Sequence, residues 1–410
     1  MIYVYRVLII LLKYLVLILK PLLGNKLKSW IDLRNRHSTS VISNQKSFWF
    51  HASSGEIEYV KSVIIELRKR SPSAYIVVTY SSPSAEKLFE NIQPFVNEFR
   101  PIPWDQPCAV QNVISEIQPQ ILIFSRTDFW PELIFQAHAK QIPICIVSYF
   151  GELGLSRRLM ARWLFKKVAR ISCVEEKSAQ QLRAVLPASV QITTDGDTRF
   201  DQVFWRLSQK SKVHIVAERP IFIAGSTWAE DEQQLVALFT QLLKKNYQII
   251  WSPHEVGTVN IQRIRDMIKT SARTCQIFSK QSKNELQFNA DFLLVDEIGY
   301  LADLYRYADI AFVGGSFKEK VHSVMEPLCC GLPVLVGPFY QNNPEAAKYV
   351  KQTQPPILYV CQNSHELIHS VQKIETERSE LSAQILNLME SNRYSTQKIT
   401  DSILNTVLKR

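Results

Sequence analysis

The first candidate for chemistry is an acidic residue that follows a short apolar run. The run ends at His51, Glu56 comes five residues later, and Ser53 or Ser54 is placed to cap a helix that begins there. Because a helix dipole favours a carboxylate in the first turn, helix electrostatics alone explains an acid at this position. The position also suits a general base, and we predict that Glu56 takes a proton from the hydroxyl of an acceptor.

A second candidate is a glycine-containing turn in the second half of the chain. Gly225, Ser226 and Thr227 follow an apolar run, and Thr227 and Glu230 have the spacing of a capping box. A helix that begins after such a turn presents free backbone N–H groups, and its dipole adds positive potential. The sequence therefore predicts a helix cap formed by Thr227 and Glu230, beside a phosphate site.

A third candidate is the segment Gly314-Gly315-Ser316, which is followed by His322 and Glu326. The i, i+4 spacing predicts that His322 and Glu326 share one face of a helix, where they can bind the hydroxyls of a sugar or ribose. The same spacing is also common in a surface pair. A histidine and a glutamate without a third ligand do not make a metal site, so we predict none.

The elements that position these residues are short apolar runs that alternate with longer amphipathic stretches. Because apolar residues occupy consecutive positions, the runs predict parallel strands that are covered on both faces. The predicted strands of the first half are residues 48–51, 75–80, 120–125, 143–149, 171–174 and 190–194. Those of the second half are residues 221–224, 248–251, 292–295, 310–313, 333–336 and 357–360.

This alternation predicts an α/β fold of two Rossmann-like, doubly wound domains with a ligand cleft between them. We place an N-terminal domain at residues 37–204, a polar linker at 205–220 and a C-terminal domain at 221–390. Residues 391–410 are amphipathic and predict a final helix. The sequence leaves open whether that helix returns to the first domain.

The first 36 residues differ in composition from the rest. They are apolar up to residue 23 except for Arg6, Lys13 and Lys20, whose spacing of seven puts the three cations on one helical stripe. Such a helix can lie in the membrane interface with its cations on lipid phosphates, or it can span with snorkelling lysines. Either way we predict a membrane anchor, and the basic residues that follow predict that the rest of the chain is cytoplasmic.

The overall charge gives little support to nucleic-acid binding. The 410 residues include 48 Lys and Arg against 38 Asp and Glu, a net charge of +10. The leader alone holds seven cations and one acid and so supplies +6, which leaves +4 for the remaining chain. Since no nucleic-acid motif is present, we predict an anionic membrane surface as a partner instead. The seven cysteines are scattered, which indicates a reducing compartment.

Taken together, the motifs resemble the Kdo (3-deoxy-D-manno-octulosonic acid) transferase family of GT-B glycosyltransferases. The segments that carry the resemblance, in order along the chain, are residues 49–56, 129–131, 196–201, 224–228, 253–255, 304–309, 314–316, 322–327 and 337–345. The resemblance implies an inverting, metal-independent transfer of Kdo from CMP-Kdo to a lipid A precursor (lipid IVA) in lipopolysaccharide synthesis. It also implies a location on the cytoplasmic face of the inner membrane and no cofactor besides the donor substrate.

The resemblance also assigns residues to roles. Glu56 matches the catalytic base, and the acceptor side is expected at Ser53, Ser54, Arg126 and Asp128. The donor side is expected at Gly225, Ser226, Thr227, His254, Gly315, Ser316, Glu326, Asn342 and Glu345.

Three departures from the family pattern bear on these roles. Arg126-Thr127-Asp128 stands where the family typically has Glu-x-Glu, the loop from His51 to Glu56 is one residue shorter, and an arginine is missing before His254. The first departure predicts altered acceptor recognition, and the last predicts weaker phosphate binding.

Two alternatives stay open, namely a nucleotide-sugar epimerase of GT-B type and a related protein with a different or a lost acceptor. The sequence does not give the oligomeric state or the number of Kdo units transferred.

Overall fold

The computed structural model describes residues 1–35, 46–352 and 355–408, and the predicted start of the N-terminal domain at residue 37 lies outside these ranges. The chain forms two compact units. Unit 1 comprises Met1–Gln202 and Asn392–Arg410, and unit 2 comprises Val203–Ser391. The helix Thr198–Ser208 runs across the first boundary, so the predicted linker begins inside a helix. The predicted domain limits and the cleft stay predictions.

Unit 1 is built on a seven-stranded parallel sheet with the strand order β3-β2-β1-β4-β5-β6-β7. The strands are β1 (Ser47–His51), β2 (Tyr75–Tyr80), β3 (Glu98–Pro101), β4 (Pro119–Ser125), β5 (Ile144–Tyr149), β6 (Arg170–Cys173) and β7 (Gln191–Thr194). The helices are α1 (Ile2–Leu19), α2 (Asn25–Asn35), α3 (Ile57–Arg70), α4 (Pro107–Ile117), α5 (Pro131–Ala139), α6 (Leu155–Leu164), α7 (Glu176–Arg183) and the first half of α8 (Thr198–Ser208).

Unit 2 has a second seven-stranded parallel sheet, with the order β11-β13-β10-β9-β14-β15-β16, and a small β8–β12 pair. The strands are β8 (Ile215–Val216), β9 (Ile221–Thr227), β10 (Gln248–Pro253), β11 (Cys275–Ile277), β12 (Leu286–Gln287), β13 (Phe292–Leu294), β14 (Ile310–Val313), β15 (Val334–Val336) and β16 (Leu358–Val360). The helices are α9 (Ala229–Lys244), α10 (Thr258–Thr270), α11 (Leu301–Leu304), α12 (Met325–Cys329), α13 (Pro344–Gln352) and α14 (Ser364–Ser391). The last helix, α15 (Ser395–Leu408), belongs to unit 1.

The consecutive apolar residues of the strands serve two cores, one on each face of the sheet. In β1 of unit 1, Trp49 lies in one core and Phe48 and Phe50 lie in the other. Because side chains alternate between the faces of a strand, a strand covered on both sides needs apolar residues at every position. This confirms the predicted class of two doubly wound parallel sheets, and all twelve predicted strands are present.

Two edge strands, β3 and β11, were not predicted. The sequence of β3 is Glu98-Phe99-Arg100-Pro101, and β11 has only three residues. An edge strand is paired on one side only and tolerates polar residues and proline, so it lacks the continuous apolar run that marks a central strand.

The two ends of the chain both pack on unit 1. In α15, Ile399 and Ile403 join the core beneath α3, and the hydroxyls of Thr396 and Ser62 lie 2.9 Å apart. The first helix, α1, is part of a segment of 21 residues with a mean hydropathy of 2.3, which by length and composition is able to cross a membrane. Of the three cations of the predicted stripe, Arg6 pairs with Glu132 of unit 1 and so is engaged within the protein. The membrane anchor and its orientation stay predictions.

One predicted helix cap is wrong, and the structure describes the other only in part. Thr227 is the last residue of β9, and α9 is capped one residue later, where the Asp231 carboxylate accepts the Trp228 backbone N–H at 2.9 Å. Of the two predicted caps of α3, the hydroxyl of Ser53 bonds to the hydroxyl of Ser81 instead of the start of the helix, and the side chain of Ser54 lies outside the described residues. In both places the side chain bonds to a neighbouring strand or to the residue that follows it. The local sequence pattern does not show such long-range contacts.

Candidate functional site

The carboxyl edge of the unit 1 sheet presents Glu56 in a turn between β1 and α3. Its Oε1 atom accepts the Thr127 hydroxyl at 3.0 Å and the Thr127 backbone N–H at 3.4 Å. The other oxygen, Oε2, is buried and has no hydrogen-bond partner among the described residues. Burial, helped by the nearby charge of Asp128, raises the pKa of Glu56 to about 7, although Thr127 and Arg126 act in the opposite direction. A carboxyl group of this kind exchanges protons near neutral pH.

Asp128 is held in a fixed orientation beside Glu56. Its Oδ2 atom lies 2.9 Å from Nε2 of the fully buried His51 and accepts the Ser81 hydroxyl at 3.2 Å. The Nδ1 atom of His51 lies 2.9 Å from the Thr79 hydroxyl. Burial by itself raises the pKa of Asp128, but the hydrogen bond and charge of His51 hold that pKa well below its ordinary value. Asp128 is therefore a fixed anion.

Arg126 lies on the other side of Thr127, in the left-handed region with φ 56°. Its guanidinium carbon lies 4.4 Å from the centre of the Tyr59 ring and 5.4 Å from that of Phe150. Burial, followed by the charge of Arg199, lowers the pKa of Arg126. Arg199 also lies over Tyr59, but it pairs with Asp197 at 2.8 Å. Within the described ranges no carboxylate forms an ion pair with Arg126.

Three of the four predicted acceptor-side residues therefore lie at the edge of the sheet that carries Glu56. Arg126 and Asp128 flank Thr127, and Ser53 bonds to Ser81, whereas the side chain of Ser54 lies outside the described residues. Thr127, which contacts Glu56 directly, was not predicted to have a role. Its position between two predicted residues was the available signal.

Unit 2 has a second set of loops at the carboxyl edge of its sheet. Ser226 has φ 55°, and a Cβ atom on Gly314 would clash with the Ser226 carbonyl oxygen. Gly315 has φ +80°, and a Cβ atom there would clash with the Lys320 carbonyl oxygen. Gly225 is packed against the Tyr305 hydroxyl, which leaves no room for a side chain. These glycines allow neighbouring segments to approach one another closely.

The buried carboxylate of Asp231 joins two of these loops. Besides the Trp228 N–H it accepts the N–H groups of Gly315 at 2.7 Å and Phe317 at 2.9 Å. Burial raises the pKa of Asp231, and the three hydrogen bonds oppose that shift. The N–H groups of Trp228, Gly315 and Phe317 are therefore occupied by the protein's own carboxylate. The phosphate site predicted beside Thr227 stays a prediction.

Other predicted donor-side residues also hold the loops in place. The Asn342 side chain accepts the Val321 N–H at 3.0 Å and donates to the Val321 carbonyl at 3.1 Å. The buried Ser316 hydroxyl donates to the Val313 carbonyl at 2.9 Å and accepts the Gly337 N–H at 2.7 Å. Glu345 is buried, at 7% exposure. Asn342 and Ser316 therefore fix the backbone around the segment between residues 315 and 323.

An aromatic stack lies beside the same loops. The Trp228 and His254 rings are 4.6 Å apart, the His254 and His322 rings are 4.5 Å apart, and Trp228 Nε1 donates to His322 Nε2 at 3.2 Å. Burial and the neighbouring charges of His254 and Lys320 lower the pKa of His322 to about 4, so this ring is neutral at pH 7. The Lys318 ammonium lies 3.6 Å from the centre of the Trp228 ring.

The predicted pairing of His322 with Glu326 on one helical face is wrong. The helix α12 begins only at Met325, and His322 lies in the preceding segment. Glu326 instead bonds to the Ser323 hydroxyl and lies 3.6 Å from Arg206. Across residues 1–35, 46–352 and 355–408 the structure contains no group of three or more His, Cys, Asp or Glu residues that could hold a metal ion.

Comparison with known proteins extends this description. Residues 31–202 match the family model of 3-deoxy-D-manno-octulosonic-acid transferase (kdotransferase). The 3-deoxy-D-manno-octulosonic acid transferase of Haemophilus influenzae is 25% identical over 387 residues, covering 89% of this chain and 88% of that protein. A bifunctional glycosyltransferase/methyltransferase of Fusobacterium nucleatum is 23% identical over 389 residues, which are 91% of this chain. This chain spans only 59% of that bifunctional protein.

Solved structures show the same fold at low sequence identity. The UDP-GlcNAc 2-epimerase of Neisseria meningitidis aligns with a TM-score of 0.58 and 15% identity, covering 89% of this chain and 100% of that one. MurG of Acinetobacter baumannii aligns with a TM-score of 0.52 and 12% identity, covering 88% and 100%. Together with the two seven-stranded sheets, these structural similarities confirm the predicted GT-B fold. At this sequence identity they support the fold and not a function.

Proposed function

Because this chain belongs to the Kdo transferase family, we propose that it transfers Kdo from CMP-Kdo to a lipid A precursor, lipid IVA, in lipopolysaccharide synthesis. The observation that carries the proposal is the geometry of Glu56. One of its oxygens is held by Thr127, and the other is buried without a partner among the described residues. A desolvated carboxylate with one free oxygen is suited to accept a proton from a hydroxyl group.

The proposed reaction is a single displacement with inversion of configuration. The acceptor hydroxyl donates its proton to the Glu56 carboxylate while its oxygen attacks the anomeric carbon of Kdo. The bond between that carbon and the CMP phosphate oxygen breaks, and CMP leaves with the electron pair. Asp128 is engaged by His51 and Ser81, so it does not act as a second nucleophile, and its negative charge helps to raise the pKa of Glu56.

The proposed donor side is the group of loops in unit 2. Since Asp231, Ser316 and Asn342 fix these loops through their backbone, we assign them a positioning role. The exposed Lys318 and Lys320 lie in the same segment and supply positive charge for the single phosphate of CMP-Kdo. Backbone and side-chain donors are sufficient for one phosphate, so we propose that no metal is required.

On the acceptor side we propose that Arg126 binds an anionic group of the lipid. Its guanidinium is stacked on Tyr59 and is not neutralised by a carboxylate of the described residues. Arginine in a fixed orientation is suited to phosphate, which it can bind through two parallel hydrogen bonds. A lipid acceptor also agrees with the apolar helix α1, and we propose that the protein works on the cytoplasmic face of the inner membrane.

The proposal is tested by transfer of labelled Kdo from CMP-Kdo, generated in situ, to purified lipid IVA with EDTA present. Wild type, Glu56→Gln and Glu58→Gln are compared, because Glu58 is a nearby acid that bonds to Gln202 instead of Thr127. Product from wild type and Glu58→Gln but not from Glu56→Gln supports donor, acceptor, base and metal independence together. Loss of product with EDTA contradicts metal independence, and loss of both product and CMP binding contradicts the whole proposal.

A further inference from the structure

The polar side chains of α1 face unit 1 along the length of the helix. Arg6 makes two hydrogen bonds, of 2.7 and 2.9 Å, to the Glu132 carboxylate in α5, and Lys13 donates to Gln106 at 3.2 Å. After the end of α1, Lys20 pairs with Asp32 of α2. The basic stripe that the sequence shows is therefore used to dock the helix on the protein.

Two buried carboxylates depend on this docking. Glu132 is fully buried and Asp105 is 1% exposed. Asp105 accepts the Tyr5 hydroxyl at 2.7 Å and also caps α5 by accepting the N–H groups of Glu132 and Leu133. If α1 left unit 1, Glu132 would lose its ion pair and Asp105 would lose the Tyr5 hydroxyl. Such losses are unfavourable for buried charges, so the docked position is the stable one.

The opposite face of α1 carries apolar side chains and no charged one. The exposed large hydrophobic residues of this helix are Tyr3, Val4, Val7, Leu8, Ile10, Leu11, Leu12, Tyr14, Leu15, Ile18 and Leu19. A contiguous apolar surface of this size on a soluble protein marks an interaction with a membrane or a partner.

A second short helix, α6, adds basic residues to this surface. The Trp163 ring of α6 lies 6.2 Å from the Tyr5 ring of α1, so the two helices are neighbours. Leu155 and Leu159 of α6 are 84% and 63% exposed. Arg157, Arg158 and Arg162 are exposed on the same helix, and none of the three forms an ion pair within the described part of the chain.

We propose that α1 lies flat in the bilayer interface without crossing it, and that α1 and α6 together form one surface that binds anionic lipid. The apolar face of α1 contacts acyl chains, and the arginines of α6 contact lipid phosphates. A docked α1, about 27 Å long, cannot stand upright in a bilayer without drawing α5 and its buried carboxylates into the hydrocarbon. This inference concerns attachment only and does not depend on the transfer reaction.

The orientation of α1 is tested with a polar epitope tag and a protease site placed before Met1 of the full chain. The protease is added to spheroplasts or to inside-out membrane vesicles of the bacterial host. If α1 lies flat, the tag is removed only in inside-out vesicles, because both ends of α1 are on the cytoplasmic side. Removal of the tag in spheroplasts means that α1 spans, and it overturns the inference.

The role of α6 is tested by binding to vesicles of phosphatidylcholine with or without phosphatidylglycerol. We expect Arg157→Gln/Arg158→Gln/Arg162→Gln to weaken binding to the anionic vesicles on the order of a hundredfold and to leave binding to neutral vesicles nearly unchanged. Leu155→Ser/Leu159→Ser is expected to weaken binding to both.

Matched controls lie on unit 2. Val259→Ser/Ile298→Ser removes two residues that are 84% and 81% exposed, and Arg265→Gln/Lys269→Gln/Arg273→Gln removes three exposed cations. Both controls should bind like wild type. If the α6 variants bind anionic vesicles as tightly as wild type does, this face does not bind lipid and the inference is overturned. The inference is also overturned if an α6 variant changes only the oligomeric state in detergent.

Discussion

The loops of the two units use carboxylates in opposite ways. In unit 1, Glu56 has one oxygen held by Thr127 and one buried without a described partner, and its pKa is raised to about 7. In unit 2, Asp231 is also buried, but three backbone N–H groups bond to it. The first arrangement leaves a group ready to take a proton, and the second fixes the shape of a binding loop. A buried carboxylate therefore indicates chemistry only when its hydrogen bonds are incomplete.

The largest expected effect is on Glu56. We expect Glu56→Gln to reduce kcat for Kdo transfer by about a thousandfold, since an amide cannot accept the proton. The same variant should unfold at no lower denaturant concentration than wild type at pH 8. The folded pKa of Glu56 lies above its unfolded value, so its ionisation makes the folded state less stable as pH rises from about 4.5 to 7. A thousandfold loss that is accompanied by unfolding would contradict a purely chemical role.

The next effect concerns Asp231 and appears in stability. Asp231→Ala leaves three N–H groups without their acceptor, and we expect the free energy of unfolding to fall by about 3 kcal/mol. Glu230→Ala, at an exposed neighbouring position, should change it by less than about 0.5 kcal/mol. Chemical denaturation followed by circular dichroism measures both. If both variants lower the free energy of unfolding by the same small amount, Asp231 does not hold the loops.

A smaller effect is expected for acceptor binding at Arg126. Arg126→Gln removes a charged donor and should raise KM for the lipid acceptor about tenfold, while KM for CMP-Kdo stays the same. Arg183→Gln, which removes a cation paired with Glu176 on the same unit, serves as the control. An acceptor without its phosphate groups should show no difference between wild type and Arg126→Gln. If KM for CMP-Kdo changes instead, Arg126 belongs to the donor side.

The smallest expected effect is a shift in pH dependence. The Thr127 hydroxyl stabilises the charged form of Glu56, so Thr127→Val should raise the Glu56 pKa further, by about 0.5 to 1 unit. The acid limb of kcat/KM, expected near pH 7 in wild type, then moves to higher pH. Thr240→Val on the surface of unit 2 should leave the limb in place. An unchanged profile for Thr127→Val would show that Glu56 is not the titrating base.

Part of the site was predictable from local sequence because it depends on the ends of strands. Glu56 follows a strand with an unmistakable apolar pattern, and Gly314 and Gly315 follow another. The wrong cap at Thr227 and the wrong helical pair of His322 and Glu326 have one cause. In each case the strand or loop extends further than its local pattern indicates, because contacts with distant residues hold it there.

The sequence by itself determined the two parallel sheets, their alternation with helices and the apolar basic leader. These follow from the periodicity of apolar residues and need no knowledge of distant neighbours. Only the tertiary structure decided which charges meet. It places Arg6 against Glu132, Thr127 against Glu56 and Asp231 against Gly315. These pairs are separated by many residues along the chain, and the energy of a buried charge depends on the groups that folding brings around it.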